Sequence, residues 1–138
     1  MATLTKDQPR AYELEQHRND LPIIADDIVY EGACCGFSSG LIRPLVAADL
    51  FAGFAKYQCN NDGGAASAKN VQLIDEGDVV LNVTGVTGVT DVDDVVYADD
   101  DNTFTKTSSS NSAIGKITRW ITGTQCVVHF EAASRRSI

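Results

Sequence analysis

Short runs of alternating apolar and polar residues, separated by clusters of turn-forming residues, occupy most of the chain from Ile23 onward. The second half shows this pattern best. Residues 95–97 and 103–105 are β-formers, and the polar residues 99–102 (Asp-Asp-Asp-Asn) lie between them. Because Asp and Asn tolerate turn dihedrals and cap their own backbone, this segment predicts a β-hairpin.

A second hairpin is predicted close to the C-terminus. Residues 117–121 and 125–130 are rich in β-formers, and Gly123 and Thr124 lie between them. A glycine at the first central position of a two-residue loop suits a type II′ turn, which matches the twist of the flanking strands.

The same pattern predicts a mainly β fold for residues 23–138. Val, Ile and Thr supply 24 of the 60 residues from Val71 to Phe130, which favours strands and leaves no room for long helices. Short strands at this spacing are typical of a small single-domain β-barrel or sandwich. The acidic residues 75–78 are predicted to form a tight turn. The predicted strands cover residues 27–30, 33–37, 42–45, 50–59, 70–74, 79–83, 95–98, 103–106, 113–122 and 125–131.

Residues 1–22 differ from the rest because they are polar and lack an apolar stripe. A helix over residues 12–17 would have little to bury, since Leu14 is its only aliphatic residue. A disordered terminus is a second alternative. We predict an extended N-terminal arm, residues 1–22, that is dispensable for folding of the β domain and orders against a partner. Its candidate partner-contact residues are Arg10, Tyr12, Leu14, Leu21 and Pro22.

Length and charge narrow the functional classes. A chain of 138 residues fits one domain. Its net charge of −8 argues against binding to nucleic acid, whose phosphates require Lys and Arg, and equally against an anionic membrane surface. The first residues lack the apolar segment of a signal peptide, and no apolar run approaches the length of a membrane helix. We therefore expect a cytosol-like compartment.

The four cysteines predict no redox or zinc site. Cys34 and Cys35 are adjacent, whereas Cys59 and Cys126 are isolated, so no Cys-x-x-Cys pair exists. On a strand, Cys34 and Cys35 would point to opposite faces, and we expect at most one of them in the core. Reduced, structural thiols are the favoured interpretation.

Candidate chemistry is sparse. The acidic residues between Asp91 and Asp101 are the best metal candidates, but a calcium loop's central Gly and distal Glu are missing, so solvated turn carboxylates are favoured. His17 lies in the polar arm, and His129 is expected to be a hydrogen-bonded structural residue. No nucleophile or phosphate-binding motif is present, so we expect neither an enzyme nor a cofactor. Trp120 is expected in the core, with an interface anchor as the alternative.

Several short motifs follow one another in a recognisable order. The second half contains Gly-Val-Thr, Val-Val-Tyr-Ala, Asp-Asp-Asp-Asn-Thr-Phe-Thr, Ser-Asn-Ser-x-Ile-Gly and Val-Val-His-Phe-Glu. The first half contains Ile28-Val29-Tyr30-Glu31-Gly32-Ala33, Gly36, Gly40, Arg43-Pro44-Leu45 and Phe51-Ala52-Gly53-Phe54-Ala55. This order, over about residues 22 to 135, resembles that of the tailed-phage capsid cement proteins, also called head decoration proteins.

The resemblance implies a structural virion protein. It would bind the major capsid protein on the outside of a phage head, after assembly in the host cytoplasm, as a homotrimer at local three-fold positions. The arm would act as a lateral strap, and no small-molecule substrate is implied. Two alternatives remain open. One is a carbohydrate- or host-surface-binding β module that uses Tyr97, Phe104 and Trp120 as its platform, and the other is a low-copy tail or head-completion protein.

Overall fold

The computed structural model describes residues 3–136 and confirms a mainly β, single-domain fold with a closed barrel. No helix in this part of the chain is both long and apolar enough to cross a membrane. Short 3₁₀ helices cover Val89–Asp91 and Ala133–Arg135. The strands are β1 (Tyr12–Pro22), β2 (Asp27–Val29), β3 (Cys34–Ser38), β4 (Leu41–Pro44), β5 (Leu50–Ala55), β6 (Cys59–Asn61), β7 (Asn70–Thr84), β8 (Val95–Ala98), β9 (Phe104–Thr105), β10 (Ser112–Thr122) and β11 (Gln125–Glu131).

Five strands close the barrel in the order β7-β9-β8-β10-β11, with β11 pairing back to β7. The β7–β9 pairing is parallel, and the other pairings in the ring are antiparallel. On the other side of the same sheet, β5, β3 and β4 extend from β7. Both predicted hairpins are confirmed: Ala98 pairs with Phe104, and Thr122 pairs with Gln125 across a loop in which Gly123 has φ +53°.

Strand β7 is 15 residues long and pairs with β1, β5, β9 and β11. The tight turn predicted at residues 75–78 is wrong, because β7 continues through these residues, and residues 76–78 are paired on both edges, to β1 and to β11. Gly77 makes this possible. A Cβ at that position would overlap the backbone carbonyl oxygen of Leu14, so only glycine lets β1 approach so closely.

The extended N-terminal arm is not confirmed, since Tyr12–Pro22 is strand β1 and pairs antiparallel with β7 from Val79 to Asn70. The helical alternative for residues 12–17 is also wrong. Polar side chains are compatible with this strand, because one of its faces is largely solvent-exposed and its backbone groups are satisfied by β7. The segment therefore belongs to the sheet.

The core consists of two hydrophobic clusters, on opposite faces of β3 and β5. Cys34 packs in the barrel cluster with Phe51, Phe54 and Phe130, whereas Cys35 packs in the second cluster. The expectation of opposite faces is therefore confirmed, but the expectation that at most one would be in the core is wrong, because the sheet is covered on both sides. All four cysteines are buried and free. Burial raises the pKa of the Cys126 thiol to about 11, so it remains a thiol at neutral pH.

Candidate functional site

The residues that precede β1 contact the β8–β9 hairpin and the loop between β2 and β3. The Thr3 backbone N–H donates to Asp101 Oδ1 at 2.7 Å, and the Thr3 hydroxyl donates to the same oxygen at 2.9 Å. Further along, the Gln8 N–H donates to the Glu31 carbonyl at 2.8 Å. Asp101 is fully buried, so its carboxylate fixes the N-terminal segment and is not a solvated turn residue.

Arg10 is held inside the molecule. Its Nε donates to the Gly32 carbonyl at 2.8 Å and its Nη2 donates to Asn102 Oδ1 at 2.8 Å. The guanidinium also lies over the rings of Phe54 and Phe104, 5.8 and 5.5 Å from their centroids. Burial lowers the pKa of this guanidinium. The predicted partner-contact residue Arg10 is thus committed to intramolecular contacts.

Of the other four predicted contact residues, three are half-buried and one is exposed. The Tyr12 ring packs 6.3 Å from Phe130, and burial raises the pKa of its hydroxyl. Leu21 packs against the second core cluster, and Pro22 is half-buried. Leu14 alone among the five is exposed, at 46%. It is therefore the most accessible residue of the predicted set.

The three aromatic residues proposed as a carbohydrate platform do not share a surface. Phe104 is only 3% exposed and packs against Phe54 in the barrel core. Trp120 is half-buried against the same core, and its Nε1 donates to the Gly123 carbonyl at 3.0 Å. Trp120 is therefore neither a fully buried core residue nor a fully exposed interface residue. Phe104 is not accessible to a ligand at the surface.

The loop between β7 and β8 is fixed by an ion pair. Lys106 contacts Asp91 Oδ1 directly and Asp94 Oδ2 at 3.2 Å. Asp91 Oδ2 also accepts hydrogen bonds from the Thr87 and Gly88 N–H groups at 2.8 and 3.0 Å. Two of the acidic residues that the sequence offered as metal ligands, Asp91 and Asp94, are therefore paired with a lysine.

This ion pair predicts a pH-dependent contribution to stability. The hydrogen bond from Lys106, followed by those from Thr87 and Gly88, lowers the pKa of Asp91 to about 2. Because the pKa is lower in the folded state, the contribution is complete above the ordinary value of 3.8 and is lost as the pH falls through about 2. We expect Lys106→Met to lower the free energy of unfolding at pH 6, and the difference from the wild type to shrink as the pH falls towards 2.

Denaturant unfolding at a series of pH values measures this difference. Lys69→Met is the matched control, because Lys69 Nζ donates to a backbone carbonyl, that of Asn60, which does not titrate. Its effect should not depend on pH between 6 and 2. A Lys106→Met difference that stays constant over this range would contradict the assigned role of the pair.

Both histidines are held by aspartates of β7. The His17 and Asp75 side chains meet at 2.7 Å through Nδ1 and Oδ1, and those of His129 and Asp78 meet in the same way, also at 2.7 Å. The expectation that His129 is hydrogen-bonded is confirmed. Asp75 is 1% exposed, whereas Asp78 lies at the surface beside further carboxylates.

One cluster was missed by sequence reasoning. His129 Nε2 lies 3.8 Å from Glu76 Oε2 and 3.5 Å from Glu131 Oε1. Within residues 3–136, these three side chains form a group with the spacing of metal ligands. The signal in the sequence was the His-x-Glu of β11, but its partner Glu76 was assigned to a turn.

Comparison of the chain with protein-family models, with curated proteins and with solved structures finds no match in any of the three. Function must therefore be inferred from the chain's own residues, their arrangement and the order of its sequence motifs.

Proposed function

We propose that this protein is a capsid decoration protein of a tailed phage. It binds the outer surface of the head, as a trimer at local three-fold positions, and its partner is the major capsid protein. Its action is mechanical, because each subunit adds contact area across the seams that packaged DNA pulls apart.

The main support for the proposal is the position in the structure of the motifs that resemble those of decoration proteins. Val-Val-Tyr-Ala is strand β8, and the Asp-rich motif that follows is the hairpin between β8 and β9. The Ser-Asn-Ser-x-Ile-Gly motif opens β10, and Val-Val-His-Phe-Glu ends β11. These second-half motifs belong to one closed barrel, and the first-half motifs lie on β2 to β5 in the same domain. The order that resembles the decoration proteins therefore spans one folded domain.

The charge and shape of the body support the same role. A compact barrel with a net charge of −8 stays soluble and separate until it meets its partner. A trimer that engages three similar patches adds weak single contacts into strong attachment. Since Arg10, Tyr12, Leu21 and Pro22 are used within the subunit, we place the capsid contact on the exposed surface of β1 around Leu14 and no longer on a free strap.

We expect purified protein to saturate decoration-free heads of the phage that encodes it, with three copies at each local three-fold position. Leu14→Ser should weaken this binding about tenfold, the loss of roughly 1.4 kcal/mol of apolar contact. Leu50→Ser, which alters another exposed leucine on β5, is the matched control and should bind normally. Cryo-electron microscopy and co-sedimentation measure both effects. Absence of the protein from native particles, or a few copies at one vertex, would refute the proposal.

A further inference from the structure

Four polar side chains form a square on one face of the sheet where β7 meets β11. In the antiparallel register, Glu76 is directly opposite Glu131, and Asp78 is directly opposite His129. Residues two apart on a strand project from the same face, so all four side chains share one surface. The square combines one imidazole with three carboxylates.

Asp78 determines which nitrogen of His129 is free. An ionised carboxylate can only accept hydrogen bonds, so the 2.7 Å contact requires a proton on His129 Nδ1. In the neutral imidazole, Nε2 then presents a lone pair towards Glu76 and Glu131. This carboxylate–histidine arrangement is the one that orients histidine ligands in metal sites.

The two glutamates share a single potential basic partner, His129. Like charges directly opposite each other destabilise a strand pair, and His129 is the only cation-capable side chain within 4 Å of either carboxylate among residues 3–136. The neighbouring Lys116 lies 3.5 Å from Asp93, and Arg136 donates to the backbone carbonyls of Glu131 and Ala113. Even a protonated His129 would leave one positive charge among three carboxylates, so the square has room for a further cation.

We propose that Glu76, His129 and Glu131 bind a divalent first-row transition metal ion, with Zn²⁺ as the best fit to a mixed imidazole and carboxylate set. The Nε2–oxygen distances of 3.8 and 3.5 Å are too long for good hydrogen bonds. They are close to the roughly 3.3 Å that separates ligand atoms around tetrahedral zinc. Asp78 positions the imidazole and is not a ligand.

The site has an open fourth position. His129 and Glu131 line a groove of about 740 Å³, whose wall also includes Gly115, Lys116 and Arg136. A water molecule from this groove completes the coordination. Because the ligands come from β7 and β11, the bound metal bridges the strand pair that closes the barrel. Metal binding therefore stabilises the folded barrel, independently of any capsid interaction.

The test is titration of untagged, full-length, chelator-treated protein with ZnCl₂, followed by calorimetry and by thermal unfolding. We expect one Zn²⁺ per chain and a rise in Tm of about 9 °C at a hundredfold excess over Kd. Glu131→Gln should raise Kd at least tenfold, and His129→Gln should abolish saturable binding. His17→Gln removes the other aspartate-bound histidine and should leave Kd unchanged, which makes it the matched control.

Co²⁺ substitution of the wild-type protein gives a readout that does not depend on the folding of any variant. We expect a visible spectrum of nitrogen and oxygen ligation without thiolate charge transfer, since all four cysteines are buried. Thiolate bands, absence of saturable Zn²⁺ binding, or a Kd that Glu131→Gln leaves unchanged would each overturn the site. None of these results bears on attachment to a capsid, so the two proposals fail separately.

Discussion

Deletion of residues 2–21 is expected to leave a chain that no longer folds stably. The deletion removes nearly all of β1 and so unpairs β7 from Val79 to Val71 along one edge. It also removes the packing of Tyr12 against the barrel core. Each buried apolar side chain of this kind contributes about 1.5–3 kcal/mol, against a total stability of about 5–15 kcal/mol for a domain. Circular dichroism and thermal unfolding measure the loss.

The contacts of individual side chains point to the same result. Arg10 bridges Gly32 and Asn102, which are far apart in sequence, and Glu13 receives two hydrogen bonds from Arg119 of β10, at 3.0 and 2.5 Å. An exposed edge of β7 would in addition invite pairing with other chains, so the truncated protein should aggregate.

A shorter deletion is the control for this experiment. Removing residues 2–6 eliminates the contact of Thr3 with Asp101 but keeps Arg10 and all of β1. We expect this variant to remain folded with a modestly lower Tm. If the longer deletion unfolded at the wild-type temperature, the N-terminal segment would be a separate arm, as the sequence had suggested, and the strap hypothesis would regain its basis.

The sequence correctly predicts those parts of the fold that depend on residues close together in the chain. The hairpins at residues 99–102 and at Gly123 follow from turn chemistry, which depends only on residues adjacent in the sequence. Strands β8, β10 and β11 alternate strongly enough to be placed within a residue or two of their bounds. The barrel itself follows from their number and spacing.

Strands β1 and β7 could not be predicted in the same way, because their pairing joins distant segments. Nothing near Gly77 indicates that the backbone of Leu14 lies against it, so an acidic run with a glycine resembled a turn. Tyr12 and Leu21 are apolar residues of a polar segment, so the sequence alone predicts them to be partner anchors. Their actual partners lie in the barrel and in the second core cluster.

The candidate metal site could not be predicted from the sequence for the same physical reason. Cross-strand register decides which carboxylates face His129, and register between β7 and β11 is set by the whole sheet. A search for clustered acidic residues finds Asp91 and Asp101 first. In the structure, Asp91 is paired with Lys106, and Asp101 binds the N-terminal segment.

Gly115→Ala is expected to disrupt the barrel from within β10. Gly115 pairs with Phe130 of β11 and with Val96 of β8. An added Cβ would overlap the carbonyl oxygen of His129 and approach its carbonyl carbon to 2.8 Å and the Phe130 Cα to 2.9 Å. These are all backbone atoms, so no side-chain rotation relieves the overlap and β10 must move away from β11. We expect a loss of about 3 kcal/mol, the upper part of the range for overpacking, and a fall in Tm of about 10 °C.

Gly88→Ala is the matched control for this substitution. Gly88 has an extended backbone, with φ −178°, that any residue adopts, and a Cβ there would meet no atom within 4 Å. The hydrogen bond from its backbone N–H to Asp91 is retained in the variant. We therefore expect a change of less than about 0.5 kcal/mol. Equal Tm values for the two variants would mean that β10 and β11 are farther apart at Gly115 than their pairing requires. The pairing of β10 with β11, beside the proposed metal ligands, would then be wrong.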